Sequence, residues 1–227
     1  MSGNEPDELS GIYRQRFEKM RAYRTRVWDV LIRGKFQARV QPGETVLDLG
    51  CGYGEFINQI RCGKKYGMDL NPDSRKNLAS DVELIEQDCS QRWPFPDGAL
   101  DTIFTSNFFE HLPSKAALKA ALDEALRCLR PGGQLIAIGP NIKFLPGKYW
   151  DFWDHHLPLT EASLAEGLTA CGFTIRECVD RFLPYTMVNA REVPPFLIAA
   201  YLRLRFVWKI FGRQFLITAV KPGSPQR

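Results

Sequence analysis

The chain has 227 residues, 44% of them hydrophobic and 25% charged, with a formal net charge of +4. That length suits one large domain with additions and a core that needs neither disulfide nor metal, and the composition excludes wholesale disorder. The charge is uneven: residues 12–39 carry nine Lys/Arg against Glu18 and Asp29, residues 196–213 carry Arg203, Arg205, Lys209 and Arg213 with no acid, and the remainder carries −7.

In chain order, residues 1–10 read as a frayed tail. Residues 11–38 lack Pro and space Phe17, Met20, Tyr23, Val27, Val30 and Leu31 as one long helix or two short ones with a basic solvent face. Gln41–Glu44 is a turn, Thr45–Leu49 a buried strand, and Glu55–Gln59 opens a helix. Lys65–Asp69 is a strand, and Asn71-Pro72-Asp73 starts a helix with Pro72 where its missing N–H costs nothing. Val82–Gln87 and Leu100–Ser106 are strands. Ser114 caps a helix to about Leu129, Arg130–Gly133 is a stop and turn, and Gln134–Ile138 is a strand. Thr160 caps a helix to Cys171 that Gly172 ends, and Phe173–Asp180 is a strand. Pro194-Pro195 precedes a helix to about Phe211, and Phe215–Val220 is the last strand. Strands alternating with helices predict βαβ units and a mostly parallel, doubly wound α/β sheet in a single domain over 1–227. Within it, 11–39 is a helical lid, 40–181 the core, and 182–227 a helical insertion with the final strand.

Cys51, Cys62, Cys89, Cys128, Cys171 and Cys178 show no C-x-x-C spacing, so a zinc ribbon or redox pair is unsupported and reduced thiols are expected. The start resembles no secretory signal, and the longest apolar run, Phe196–Leu202, is far short of a spanning helix. A cytoplasmic protein is expected, with peripheral contact at the inner face of a membrane as one use of residues 196–213. Those residues suit an anionic membrane surface and, equally, a helix packed on the sheet with snorkelling cations.

The most informative stretch is Val46-Leu-Asp48-Leu-Gly50-Cys51-Gly52-Tyr-Gly54, a buried strand running into three alternating glycines. Glycine there lets the backbone turn sharply and approach a ligand outside the carboxyl ends of parallel strands. A dinucleotide fingerprint needs G-x-G-x-x-G, but the third glycine falls one position early and Glu55 stands in its place. A carboxylate at that helix start disfavours a pyrophosphate, which argues against a nicotinamide oxidoreductase. Asp69, at the end of the second strand, can accept two hydrogen bonds from vicinal ribose hydroxyls, and Asp88 after the third can hold an exocyclic amine. A lone Asp is usually a turn residue; Asp48, Asp69 and Asp88 at successive strand ends, beside a glycine loop, carry more weight together.

With VLDLGCGYGEF (46–56), YGMDLNP (66–72), EQDCS (86–90), LDTIFTSNFFEHL (100–112) and LRPGGQLIAIGPN (129–141), the chain resembles class I S-adenosylmethionine-dependent methyltransferases. The resemblance implies a seven-stranded sheet with its last strand antiparallel. It implies cofactor contacts from Gly50, Cys51, Gly52 and Gly54, ribose held by Asp69, adenine flanked by Leu70 and Asp88–Cys89, and Asn107 near the methionine moiety. It gives Asp48 the role of orienting the loop or the amino group. It also implies a lid helix from which Tyr13 or Arg14 reaches the cofactor or an anionic acceptor, although a solvated face is the plainer reading of that helix.

The acceptor side is less specific. Asn107-Phe108-Phe109-Glu110 lacks the prolines of nucleic-acid amino-methyltransferase loops, which argues against adenine or glutamine N-methylation of that type though not against RNA methylation generally; nucleic acid is not the expected acceptor. His111 closes the pocket or serves structure. In Lys148–Thr160, aromatic residues and histidines cluster where this fold builds its acceptor site. His155 or His156 can take a proton from a hydroxyl or amine, with His155 better suited to bracing the turn. No metal is expected, because an adjacent His pair with Asp151 or Asp154 supplies too few ligands. These features look like those of bacterial envelope-polysaccharide and glycolipid methyltransferases, which implies a sugar or lipid-linked glycan hydroxyl as acceptor. A soluble metabolite as acceptor, or a module that binds the cofactor without chemistry, are the alternatives.

Overall fold

The computed structural model describes residues 21–185 and 192–223. Helix α1 (Arg21–Leu31) widens into a π turn over Ile32–Phe36 and then tightens into a 3-10 turn over Gln37–Arg39. The strands are β1 (Thr45–Leu49), β2 (Lys64–Met68), β3 (Val82–Ile85), β4 (Leu100–Ser106), β5 (Leu129–Pro140), β6 (Thr174–Leu183) and β7 (Gln214–Val220). Between them run α2 (Lys115–Cys128), α3 (Glu161–Ala170), α4 (Pro195–Arg203) and α5 (Arg205–Phe211).

The strands form one sheet of order β3-β2-β1-β4-β5-β7-β6. β1 to β5 run parallel, while β7 lies antiparallel between β5 and β6. The chain builds outward from β1 to β3 and then crosses back to β4. The order therefore reverses between β1 and β4, the place where a doubly wound sheet opens a crevice at its carboxyl edge.

Strand alternation sends side chains to two cores. Leu47, Leu49, Ile103, Leu135, Ala137 and Ile217 pack against α2 and α3. Val46, Phe104, Ile136, Ile138 and Leu216 face α1 and its turns through Leu31, Ile32, Phe36 and Phe56. Phe56 stacks on Phe104 at 3.7 Å between centroids, and Phe36 meets Phe104 edge-on at 5.3 Å. Removing one such ring would cost about 3–5 kcal/mol. α2 buries Leu118, Ala121, Leu122, Ala125 and Cys128 at helical spacing, with the Ser114 hydroxyl accepting the Ala117 N–H. Thr160 and Ser163 form a reciprocal cap on α3, and Gly172 ends that helix at φ 103°.

Four local expectations are corrected. Residues 55–60 form hydrogen-bonded turns rather than a regular helix, because the stretch between Gly54 and Gly63 is too short to propagate one. The helix expected after Asn71 is one short 3-10 run, Pro72–Lys76, capped by the Asn71 side chain. Arg130–Gly133 lies inside β5 as an irregularity in its pairing with β4, with Gly132 at φ 76° absorbing the distortion. The helix after Pro194-Pro195 breaks at Leu204, where the Trp208 indole N–H caps the Tyr201 carbonyl at 2.8 Å. Arg205 and Lys209 therefore share a helical face, while Arg213 lies beyond α5. Leu202 and Trp208 seat the two helices on the molecule, and much of their remaining apolar surface faces outward. Among the described residues, no helix is long and apolar enough to cross a membrane.

Candidate active site

The site grows from the end of β1. Gly50, Gly52 and Gly54 adopt φ of 70°, 50° and 73°, a region costly for residues with a Cβ. A Cβ on Gly50 would meet the Phe108 ring at 2.3 Å, and one on Gly54 would meet Leu78 at 2.6 Å. A Cβ on Gly52 would meet nothing within 4 Å. Two of the glycines thus permit packing, and the middle one opens onto the crevice. The Gly50 and Cys51 N–H groups donate to the Met68 carbonyl at 2.8 and 3.2 Å, latching the loop to β2.

Asp69 follows β2 and faces this loop. Its Oδ2 accepts the Gly52 N–H at 2.7 Å and its Oδ1 the Asn71 N–H at 2.9 Å. A carboxylate offers about four acceptor positions, so roughly two remain for a ligand hydroxyl pair. Burial raises the Asp69 carboxyl above its usual range, opposed by those backbone N–H groups. Asp48, buried in β1, is pushed well above the usual carboxylate range by burial, with Glu55 and Asp69 adding to the rise and the Ile57 N–H opposing it. Burial likewise pushes the Cys51 thiol far up, with Asp48 and Asp69 adding to it. Glu55 pairs with Arg24 of α1 at 2.8 Å, which ties that helix to the glycine loop.

This donor set fits a cationic nucleoside ligand. Glu55 and Asp69 both disfavour ionisation of Asp48, a cost that a ligand cation would relieve. Asn107, at the end of β4, holds φ 51° with its Oδ1 buried and lacking a hydrogen-bond partner, an acceptor held ready beside the crevice. Leu70 is 67% exposed next to Asp69, an apolar ledge for a flat ring. Asp88 is exposed, with its Oδ1 accepting the Ser90 N–H at 2.8 Å. Cys89 is buried beneath it, and its carbonyl accepts the Trp93 indole N–H at 2.8 Å. Tyr13 and Arg14 lie outside the described residues.

The loop after β5 hangs on β4's exit. The Glu110 carbonyl accepts the N–H groups of His156 and Leu157 at 2.8 and 3.0 Å. The Glu110 side chain is buried, which pushes its carboxyl up to about 7, while His111 opposes and Asp154 adds to the shift. His111 Nδ1 lies 2.9 Å from the Asp154 carbonyl and 3.4 Å from its carboxylate. His155 is buried: its ring stacks on Phe152 at 4.9 Å, meets Tyr149 at 4.6 Å and meets His111 edge-on at 5.0 Å. Phe152 in turn meets Tyr185 at 5.9 Å, and the Tyr149 hydroxyl donates to the Leu157 carbonyl. His156, one residue on, is exposed. His111, His155, Phe152 and Tyr185 thus form a chain of ring contacts, and His111 also acts electrostatically on Asp69.

Sequence spacing gave no sign that Glu110, His111 and His155 bring one potential ligand atom each within 4.8 Å of one another. That bound is looser than the roughly 3.4 Å ligand separation of a tetrahedral zinc site, and His111 is engaged by Asp154. Arg24 and Glu110 were also missed as contributors. Arg24's signal was an unremarked cation in a basic helix, and Glu110's was an acid within an otherwise apolar motif.

Residues 47–137 match the family described as "Methyltransferase domain". The chain is 29% identical over 153 residues to 2-methyl-6-phytyl-1,4-hydroquinone methyltransferase of Synechocystis, covering 58% of this chain and 46% of that protein. It is 32% identical over 108 residues to sterol 24-C-methyltransferase of Pneumocystis carinii, covering 42% of this chain and 28% of that one. The matches thus span less than half the length of these curated relatives. In fold, it is similar to a SAM-dependent methyltransferase of Archaeoglobus fulgidus, with a TM-score of 0.66, 20% identity, and coverage of 90% of this chain and 99% of that one. A sheet that reverses at β1/β4, a glycine loop joined to Asp69 beside that crevice and the matched domain agree: residues 47–137 match a methyltransferase domain within a Rossmann-like methyltransferase fold, and these findings support a class I S-adenosylmethionine-dependent methyltransferase with S-adenosylmethionine as its cofactor.

Proposed function

We propose that the chain methylates a hydroxyl of a lipid-linked acceptor, foremost a sugar carried on a lipid, with an amine as the variant chemistry. The observation behind this reading is the aromatic wall of His111, His155, Phe152 and Tyr185 beside the acidic crevice. Flat rings suit a sugar face and exclude water from the transfer. The two curated relatives are named for a phytyl hydroquinone and a sterol, both apolar acceptors, which supports the lipid part.

The cofactor supplies a methyl already activated on a cationic sulfonium, so the protein's work is chiefly in-line placement. Gly50, Cys51, Gly52 and Gly54 would carry the cofactor against their backbone. Asp69 would hold the ribose, Leu70 with Asp88 and Cys89 the adenine, and Asn107 and Asp48 the methionine end. His156, exposed next to the buried brace His155, is the group we assign to take the acceptor's proton as the new C–O bond forms.

Transfer of labelled methyl to a lipid extract, to purified glycolipids and to a soluble metabolite pool tests the reading. Label in the glycolipid fraction is expected, with His156→Ala lowering kcat and leaving cofactor affinity intact. Label confined to soluble metabolites overturns the acceptor assignment. Cofactor binding with no transfer to any pool favours the non-catalytic module.

A further inference from the structure

We infer that the outer face of α4 and α5 is a docking surface for an anionic phospholipid membrane. Phe196, Leu197, Leu204, Phe206, Ile210 and Phe211 are each between 45% and 69% exposed, an unusual density of bare apolar side chains within sixteen residues. They are organised. On α5, Phe206 and Ile210 stand one turn apart and form a ridge, opposite the buried Trp208 that anchors the helix. Arg205 and Lys209 form a parallel row about 100° away, and Arg203 lies about two turns from Phe196 on the same face of α4. No acid occurs from 196 to 213. An apolar ridge flanked by cations is the arrangement that sinks into the boundary between headgroup and acyl chain while its charges stay with anionic headgroups.

Charge chooses the occupant. A second copy meeting this face through a two-fold axis would set Arg203, Arg205 and Lys209 against their own images, an arrangement that like charges oppose. An anionic lipid surface complements both parts of the patch. Its position also suits access to the site. The Val193 N–H donates to Tyr23 Oη at 2.9 Å and Glu192 pairs with Arg26, so the start of α4 rests on α1, the helix whose Arg24 holds the glycine-loop residue Glu55. The inference does not require a particular acceptor.

Vesicle flotation of the full chain tests it, using phosphatidylglycerol–phosphatidylcholine vesicles against phosphatidylcholine alone. The chain should float with the anionic vesicles and do so less as salt rises. Phe206→Glu combined with Ile210→Glu should lower binding by about tenfold or more, and Arg205→Glu with Lys209→Glu should abolish the preference for anionic lipid. Both variants alter only exposed side chains, so affinity for S-adenosylhomocysteine should be unchanged. That control separates this inference from the methyltransferase reading. Failure of the wild-type chain to float, equal flotation of the variants, or a dimer that the Phe206/Ile210 variant disperses would each overturn it.

Discussion

Replacing Asp69 by Ala removes the side chain that links β2 to the glycine loop. In the wild-type chain its two oxygens already accept the N–H groups of Gly52 and Asn71 at 2.7 and 2.9 Å, leaving about two acceptor positions for the ribose diol. A hydrogen bond to a charged group is worth about 1.5–3 kcal/mol. Losing two of them to the ligand, together with the charge that favours a cation, should cost about 3 kcal/mol, or roughly a hundredfold in Kd. Titration calorimetry with S-adenosylhomocysteine reads this directly. A loosened loop could mimic the loss, so the cofactor product lacking its 2′ and 3′ hydroxyls serves as a second ligand. Wild type should bind that analogue about a hundredfold more weakly than the natural product, whereas Asp69→Ala should hardly distinguish them. A folded Asp69→Ala variant that binds within about threefold of wild type would refute the reasoning, as would an equal penalty for the analogue in both proteins.

Gly50→Ala should destabilise the fold by about 3 kcal/mol, a fall of about 6–12 °C in Tm, because its φ is 70° and the new methyl would meet the Phe108 ring at 2.3 Å. Gly52→Ala meets no neighbour within 4 Å, so it should cost only about 1 kcal/mol in Tm measurements while blocking the close approach of the cofactor; equal Tm losses at both positions would contradict the packing assigned here. Glu110 moves from an ordinary 4.5 up to about 7 on burial, so the native chain keeps a proton that the unfolded chain releases. Its contribution is fully present below about pH 4.5, declines by about 3 kcal/mol as pH rises toward 7 and is flat above. Glu110→Gln should erase that slope in Tm against pH, and parallel curves for the two proteins would rule the assignment out.

The parts legible in the sequence are those set by local rules. Alternating glycines after a buried strand permit positive φ without a Cβ penalty, so the loop at 50–54 could be placed without coordinates. Largely apolar runs of strand length marked β1 and β4, and Ser114 and Thr160 marked helix starts, because a cap depends on neighbours three residues away. The misses depend on contacts across the fold. Nothing near Leu204 signals a break, which exists because Trp208 reaches back to the Tyr201 carbonyl. Pro131 and Gly132 read as a turn, yet β5 runs through them as an irregularity between the paired Leu129 and Gln134, with the Gly132 N–H donating to the Lys221 carbonyl. His155 and His156 are chemically identical neighbours, and only docking of their loop on the Glu110 carbonyl leaves one buried among rings and the other in solvent.

The two basic segments, which looked alike in the sequence, do different work. Among the described residues, five cations of the first are paired with acids. Arg24 pairs with Glu55, Arg26 with Glu192, Arg33 with Asp29, and both Lys35 and Arg39 with Glu177. Apart from Arg33–Asp29, which lies within α1 and its turns, these pairs fasten α1 and its turns to the glycine loop, to the start of α4 and to β6. In the second segment, Arg205 lies 5.3 Å from the Trp208 ring, and Arg213 donates to the carbonyls of Ile210 and Gly212. None of these interactions neutralises a cation, because a ring face and a carbonyl carry no formal charge. Among the described residues, the cations of the first segment are thus mostly paired with acids, whereas the second segment holds no acid and its exposed Arg205 is the neighbour of the bare Phe206. A net charge of +4 hides this division, and the division is what makes one basic segment architectural and the other available to an anionic surface.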